Sequence, residues 1–230
     1  LWRPSLAETV DVLYGHLTQP TPMITYKIAR SVVRHAFSHS APLNVILSSC
    51  NLATSKAEKR ANSEVLKMVW DLGADRNVKT FDIRDKKLTI PTGHIRLRRD
   101  VIIQVKADFI YVENSAEAFF WAQFRKSFAL TNIELGVIAS VFRRTFLDAS
   151  DRPIELEIFD LSEPEKAKQR NPRLLRLSDL SVISNNDVLD RLQRVVDAYD
   201  IVCAKDIDWA SFRQRKRPSS HETDYQGRLF

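Results

Sequence analysis

Glycine is scarce. The chain has 230 residues and five glycines, Gly15, Gly73, Gly93, Gly136 and Gly227, no two closer than twenty positions. A dinucleotide fingerprint, a phosphate-binding loop or a kinase-type glycine-rich loop needs several glycines within six to eight residues, because there the backbone itself approaches phosphate. All three are excluded, as is a G-x-S-x-G nucleophile elbow. Cysteine is equally thin: Cys50 and Cys203 stand alone, with no C-x-x-C pair, so a cysteine-rich zinc site is excluded and two buried thiols in a reducing, cytoplasmic compartment are the expectation. The longest apolar run, Leu135 to Phe142, falls far short of the ~20 residues that span a bilayer, and Leu1-Trp2-Arg3-Pro4 does not have the form of a signal peptide; the missing initiator Met suggests a start inside a longer chain. No membrane association is expected.

What is present is a core-forming composition, 44% hydrophobic and 28% charged, with 35 Lys+Arg against 29 Asp+Glu and a formal charge of +6. That charge is uneven. Residues 1–60 carry seven basic and three acidic side chains, residues 61–160 fifteen of each, and residues 161–230 thirteen and eleven. Three basic clusters stand out: Arg96, Arg98 and Arg99; Lys166, Lys168, Arg170, Arg173 and Arg176; and Arg213, Arg215, Lys216 and Arg217 in the tail. Such clusters neutralise phosphates or form ordinary solvated surface.

Hydrophobic periodicity orders the chain. Leu6, Val10, Leu13 and Leu17, then Ile24, Ile28, Val32 and Phe37, predict two helices separated by Pro20-Thr21-Pro22, with Lys27, Arg30 and Arg34 mainly on the other side of the second. A plain helical hairpin fits this better than a DNA-reading helix-turn-helix. His35 and His39 share a helix face, but no acid joins them as a ligand. Ser55-Lys56-Ala57-Glu58 is a capping-box pattern opening a helix that stops at Gly73. Strands are expected at 78–83, 87–90, 94–105, 107–112 and 118–124, then a helix at 132–147 with Ile133, Val137, Val141 and Phe142 inward, and a strand at 154–161. Residues 163–177 read as a polar connection and 180–199 as helix, with Asp187 as its cap.

The sequence of helix, antiparallel strands, helix and strand implies a mixed α/β (α+β) fold with helical N- and C-terminal additions: a segment at 1–54, a core at 55–162 and a helical segment with basic tail at 163–230. Within the core, Asp108 precedes Phe109-Ile110-Tyr111, and Phe120-Trp121-Ala122-Gln123-Phe124-Arg125-Lys126 follows on the next strand. Asp108 and Gln123 are fifteen positions apart, which suits a paired hairpin, and alternation gives Gln123 and Arg125 one face. A carboxylate and an amide oxygen are hard ligands suited to a divalent ion that activates water.

This arrangement resembles the PD-(D/E)XK nuclease superfamily, whose signature is an acid at one strand end and an acid-x-Lys on the next strand. Within it the chain is most similar to TnsA-like endonucleases, the end-cleaving subunits of heteromeric transposases, which carry a helix Glu, a V-x-D-I-R-E-Q segment, an Asp and a Gln-x-Lys. Here the matching positions are Glu64, Val78-Lys79-Thr80-Phe81-Asp82-Ile83-Arg84, Asp108 and Gln123, with Arg125 where the family has Lys. The resemblance spans about residues 58–162. It implies a restriction-endonuclease-like core, DNA as substrate, Mg²⁺ or Mn²⁺ held by Glu64, Asp108 and Gln123, and a transposase and regulator as partners. Arg125 completes the catalytic set, but Arg does not readily lose a proton, so it keeps charge stabilisation and loses the base role. No Glu-Gln follows Arg84. Arg96, Arg98, Arg99, Lys126, Arg213, Arg215, Lys216 and Arg217 are the candidate nucleic-acid contacts. Two rival readings stand beside this one: the same core as a non-catalytic DNA- or protein-binding module, and an assembly protein of unrelated α/β topology.

Overall fold

The computed structural model describes residues 5–18, 24–81, 93–98, 101–126, 130–147, 154–162 and 170–205, with 93–104 as backbone. In chain order the elements are α1 (Leu6–Thr18), α2 (Lys27–Phe37), α3 (Leu43–Ser48), a 3₁₀ turn (Ser49–Leu52), α4 (Lys56–Gly73), β1 (Val78–Phe81), β2 (Gly93–Arg98), β3 (Val101–Val105), β4 (Phe109–Glu113), β5 (Ala116–Gln123), α5 (Asn132–Phe142) continued by a π turn (Arg143–Leu147), β6 (Glu155–Asp160), β7 (Arg173–Arg176) and α6 (Asn185–Cys203). Among the described residues no helix is long and apolar enough to cross a membrane.

The chain divides into two compact units, Met23–Leu189 and the combination of Leu1–Pro22 with Asp190–Phe230. In the smaller unit Val10, Leu13 and Leu17 of α1 pack with Ala198 and Val202 of α6. The larger unit is built on a five-stranded mixed sheet of order β1-β4-β5-β6-β7, with β2 and β3 as a separate antiparallel pair. β1, β4 and β5 form an antiparallel meander, β6 is parallel to β5, and β7 is antiparallel to β6. The parallel β5–β6 step requires a crossover, which α5 supplies. The class is thus α+β, a mixed sheet flanked by helices.

One face of the sheet is covered by α2 and α4. Each has apolar residues at helical spacing: Ala29, Val32, Val33, Ala36 and Phe37 on α2, and Ala61, Val65, Leu66 and Val69 on α4. Phe37 is the centre of this layer, its ring 5.3 Å from Phe109, 5.2 Å from Tyr111 and 5.0 Å from Phe120. The two helices approach closely at Gly73, where a Cβ would stand 2.0 Å from the Phe37 carbonyl oxygen. Asn62 of α4, fully buried, caps α2 from outside: its Oδ1 accepts from the Ala29 N–H at 2.9 Å, one of the donors a helix start leaves unpaired. The opposite face meets α5 and its π turn, with Phe119 4.9 Å from Phe146. A capping box of Thr131 and Glu134 starts α5.

Several expectations change. The run 94–105 is not one strand but the hairpin β2–β3. Ile133 is exposed rather than inward, while Val137 and Phe142 are buried as expected and Leu135, Gly136 and Ala139 are buried with them. The connection 163–177 contains β7. Ser184, not Asp187, caps α6: its hydroxyl accepts from the Asp187 N–H at 3.1 Å and donates to the Asp187 carboxylate at 2.6 Å. Ser55 does cap α4, accepting from the Glu58 N–H at 3.1 Å, but the Glu58 carboxylate turns to the Thr54 N–H, at 3.0 Å, and to the Thr25 and Thr54 hydroxyls. Both cysteines are free; Cys50 is buried and Cys203 is exposed, at the end of α6. The expected strand at 87–90 lies outside the described residues.

Candidate functional site

The site expected from sequence lies where β4 begins and where β5 and β6, running parallel, end. Three carboxylates lie along this edge, each against an arginine.

Asp108 is the first. It sits one residue ahead of β4, and its backbone N–H donates to the Phe120 carbonyl at 2.8 Å. Its Oδ2 accepts from the Ala122 N–H at 2.7 Å, so the side chain satisfies a strand donor as a backbone carbonyl would. Its Oδ1 pairs with Nη1 of Arg30, from α2. The other Arg30 nitrogen, Nη2, donates to the Ala122 carbonyl at 3.1 Å, and the guanidinium carbon lies 4.9 Å from the centre of the Phe124 ring. The Asp108 side chain is 7% exposed and that of Arg30 42%, so the carboxylate is enclosed and the guanidinium faces solvent on one side. Burial pushes the Asp108 carboxyl up, opposed by the charge of Arg30 and by the Ala122 N–H.

Glu64 is the second. It lies on α4, with Oε2 3.2 Å from Nε of Arg170. That nitrogen makes no hydrogen bond, so the contact is one of charge rather than of aligned donor and acceptor. Arg170 itself is buried. Its Nη1 donates to the carbonyls of Phe124, at 2.8 Å, and Leu161, and its Nη2 to the Tyr26 hydroxyl at 2.8 Å. One guanidinium thereby ties together the ends of β5, β6 and the residue that precedes α2.

Asp160 is the third. It ends β6 in register with Gln123 of β5 and Arg173 of β7, and it is fully buried. It accepts from Arg173 and, at 3.0 Å, from the Ser162 N–H. Arg173 also donates to the Leu130 carbonyl at 3.0 Å.

The remaining expected residues fall around this edge. Gln123 is the last residue of β5, and its Oε1 accepts from the Arg125 N–H at 3.1 Å. Arg125 and Lys126 lie beyond the strand and are exposed, so strand alternation does not govern Arg125. Arg96 and Arg98 are in β2, described by backbone alone; Arg99, Lys166, Lys168, Arg213, Arg215, Lys216 and Arg217 lie outside the described residues. Arg170 and Arg173 hold the interior contacts above, and Arg176 reaches Glu157 at 3.4 Å, so these three belong to internal ion pairs. The histidines on and just after α2 are also engaged. His39 bonds the Trp70 carbonyl at 2.8 Å and stacks on its ring at 3.8 Å, while His35 bonds Ser40 at 2.7 Å.

The resemblance implies a divalent ion on Glu64, Asp108 and Gln123. The residues as arranged do not fit one. Both Asp108 oxygens are engaged by protein donors, Glu64 faces a guanidinium, and the Gln123 carbonyl oxygen is turned to its own loop. Among the described residues no three His, Cys, Asp or Glu side chains are grouped to hold a metal. Sequence reading missed Arg30, Tyr26, Asp160, Arg170 and Arg173 as parts of this edge. For Asp160 a signal existed: acids inside an apolar strand require partners.

The chain matches no family model, and neither a curated protein nor a solved structure is significantly similar to it.

Proposed function

We propose that this protein is a nucleic-acid-associated subunit with a PD-(D/E)XK-like, TnsA-like core whose catalytic edge has become a binding edge. The topology supports the family reading: a helix (α4), a meander (β1, β4, β5), a crossover helix (α5) and a strand (β6) parallel to the last of the meander. The observation that carries the non-catalytic part is the two-point grip of Arg30 on Asp108 and the Ala122 carbonyl. A divalent-ion nuclease needs its carboxylate turned to the ion, whereas here the positive charge beside that carboxylate belongs to the chain.

A DNA-binding role follows from what borders that grip. Lys27, Arg30 and Arg34 lie at spacings of three and four on α2, a single stripe. Arg30 reaches Phe124, and Arg125 and Lys126 follow it, both exposed. These cations suit a phosphate backbone, with transposase and regulator subunits as the partner class that the TnsA resemblance supports.

Binding of a duplex oligonucleotide across a salt series tests the reading. The expected result is affinity that falls linearly in log–log form with salt, and a shallower slope for Arg125→Ala/Lys126→Ala, by about one for each phosphate that is no longer neutralised. Absence of binding, or binding indifferent to salt, overturns it in favour of a protein-only assembly role.

A further inference from the structure

We propose that the β2–β3 ribbon is a groove-reading element: it enters the major groove of duplex DNA by the face that carries His94, Arg96 and Gln104, while Arg143 and Arg144 of the neighbouring π turn hold the flanking phosphates. This rests on the nucleic-acid reading above and gives it an element that reads bases.

The register sorts the ribbon by face. β2 and β3 pair antiparallel and form a sheet of their own. Residues directly opposite one another share a face, and the two faces alternate along each strand. One face therefore takes Val105 with Gly93, Ile103 with Ile95, and Val101 two positions on. The other takes Gln104 with His94 and Ile102 with Arg96. Val105, at the base of the ribbon, is buried. The apolar face is thus the one turned to the protein there, and the polar face is the opposite one. Past Arg96 the register shifts, and Arg98 pairs with Val101.

The place of the ribbon suits a duplex. The chain leaves the sheet after Phe81 of β1 and returns at Phe109 of β4, and Phe81 lies in register with Ile110. The ribbon is therefore an insertion rooted at the edge where Asp108 stands. β2 runs beside the π turn, where Arg143 and Arg144 are exposed. The described charges of the ribbon and of this turn, Arg96, Arg98, Arg143 and Arg144, are all positive, and Lys106, just after β3, is exposed. Arg99 and Asp100, between the strands, lie outside the described residues.

Dimensions and chemistry choose the groove. Two strands side by side fit a major groove about 12 Å wide and not a minor groove about 6 Å wide. Arg pairs with guanine O6 and N7, and Gln with adenine N6 and N7, so the polar face carries side chains that distinguish bases, while arginines at the side of the groove neutralise phosphate. A protein partner would be drawn to the apolar face, which Val105 shows turned inward.

Binding of the full chain to two duplexes of one mixed sequence tests this, one with cytosine and one with glucosylated 5-hydroxymethylcytosine, whose sugar fills the major groove and leaves the phosphates in place. Wild type is expected to bind the glucosylated duplex at least about tenfold more weakly, and distamycin, which fills the minor groove, to leave binding of the plain duplex unchanged. Arg96→Ala/Gln104→Ala is expected to lose the preference between duplexes and to keep salt-dependent binding. Arg143→Ala/Arg144→Ala is expected to keep the preference, with a log–log salt slope shallower by about two. Equal wild-type affinity for the two duplexes, or displacement by distamycin, overturns the ribbon proposal and leaves the nucleic-acid reading standing. A full preference retained by folded Arg96→Ala/Gln104→Ala also overturns it, because the reading face is then elsewhere. Failure of wild type to bind either duplex overturns both. The wild-type comparison decides the case in which a variant does not fold.

Discussion

The guanidinium of Arg30 meets the carboxylate of Asp108 across 78 residues of chain, joining the first turn of α2 to the start of β4. Asp108 is enclosed, so the two halves of the pair are not equivalent. Arg30→Ala leaves a buried carboxylate without its cation, while Asp108→Asn leaves a guanidinium that water solvates on its open side. A double-mutant cycle read by urea unfolding is expected to return a coupling of about 1–3 kcal/mol, with Arg30→Ala the costlier single change. A coupling near zero contradicts the pairing.

A second arginine, part-buried, holds the other end of the same sheet face. Arg76 contacts Glu113 at 2.6 Å, Glu157 at 2.8 Å and the Tyr111 hydroxyl at 2.8 Å, with its guanidinium carbon 5.0 Å from the Phe37 ring centre. These bonds hold the Arg76 guanidinium above its ordinary range, although burial works against its charge. Arg76→Met takes from buried Glu157 its closer cation and leaves it only the 3.4 Å contact with Arg176. Breaking such a pair costs about 3–5 kcal/mol, so a large fall in the urea midpoint is expected. Arg76→Met/Glu157→Leu is expected to recover most of it, since an apolar pair of similar volume is tolerated there.

The same cluster sets an acid limit. Hydrogen bonding to Arg76, with its charge in support and burial in opposition, holds the Glu113 carboxyl below its usual 4.5. The unfolded chain therefore binds the proton first as pH falls. The stabilisation is present above about pH 4.5 and is lost as pH drops through the lower folded value. Unfolding free energy measured between pH 6 and pH 3 is expected to fall less steeply in Glu113→Gln than in wild type. An unchanged slope contradicts the assignment.

The β4–β5 hairpin turns on Asn114 and Ser115, with φ of 49° and 68°. A two-residue turn with both angles positive suits the twist of the strands, and it favours Asn then Gly. Ser115→Gly is expected to raise stability by about 1 kcal/mol, read by thermal melting, because serine is strained there. The reverse logic applies at Gly73, whose φ is ordinary and whose constraint is space. Gly73→Ala places a methyl 2.0 Å from the Phe37 carbonyl oxygen and is expected to destabilise by about 1–3 kcal/mol or more.

How much of this was legible in the sequence differs by kind of feature. Helix starts were legible at Ser55 because capping is local: the cap and the N–H it serves are three residues apart. The β4–β5 turn was legible as the gap between the strands expected at 107–112 and 118–124. β6 was less so. Leu156 to Asp160 are all buried, because a parallel strand inside a covered sheet has no solvent face, and alternation then carries no information about exposure. β7 was hidden because Arg173 and Arg176 look like surface residues until Asp160 and Glu157 are known to lie opposite them. At the site, Asp108 and Gln123 were found from spacing along one hairpin. Glu64 was named through the family resemblance, but its partner Arg170 and the partner of Asp108, Arg30, were not, because they come from the segment before β7 and from α2, and only the fold brings those together.

The central claim is that this edge binds nucleic acid and does not cut it. Nicking of supercoiled plasmid by the full wild-type chain, in Mg²⁺ and in Mn²⁺ and at protein concentrations that saturate binding, tests it most directly. The predicted result is bound plasmid that stays supercoiled in both metals. Metal-dependent nicking by wild type that Asp108→Ala abolishes would contradict it.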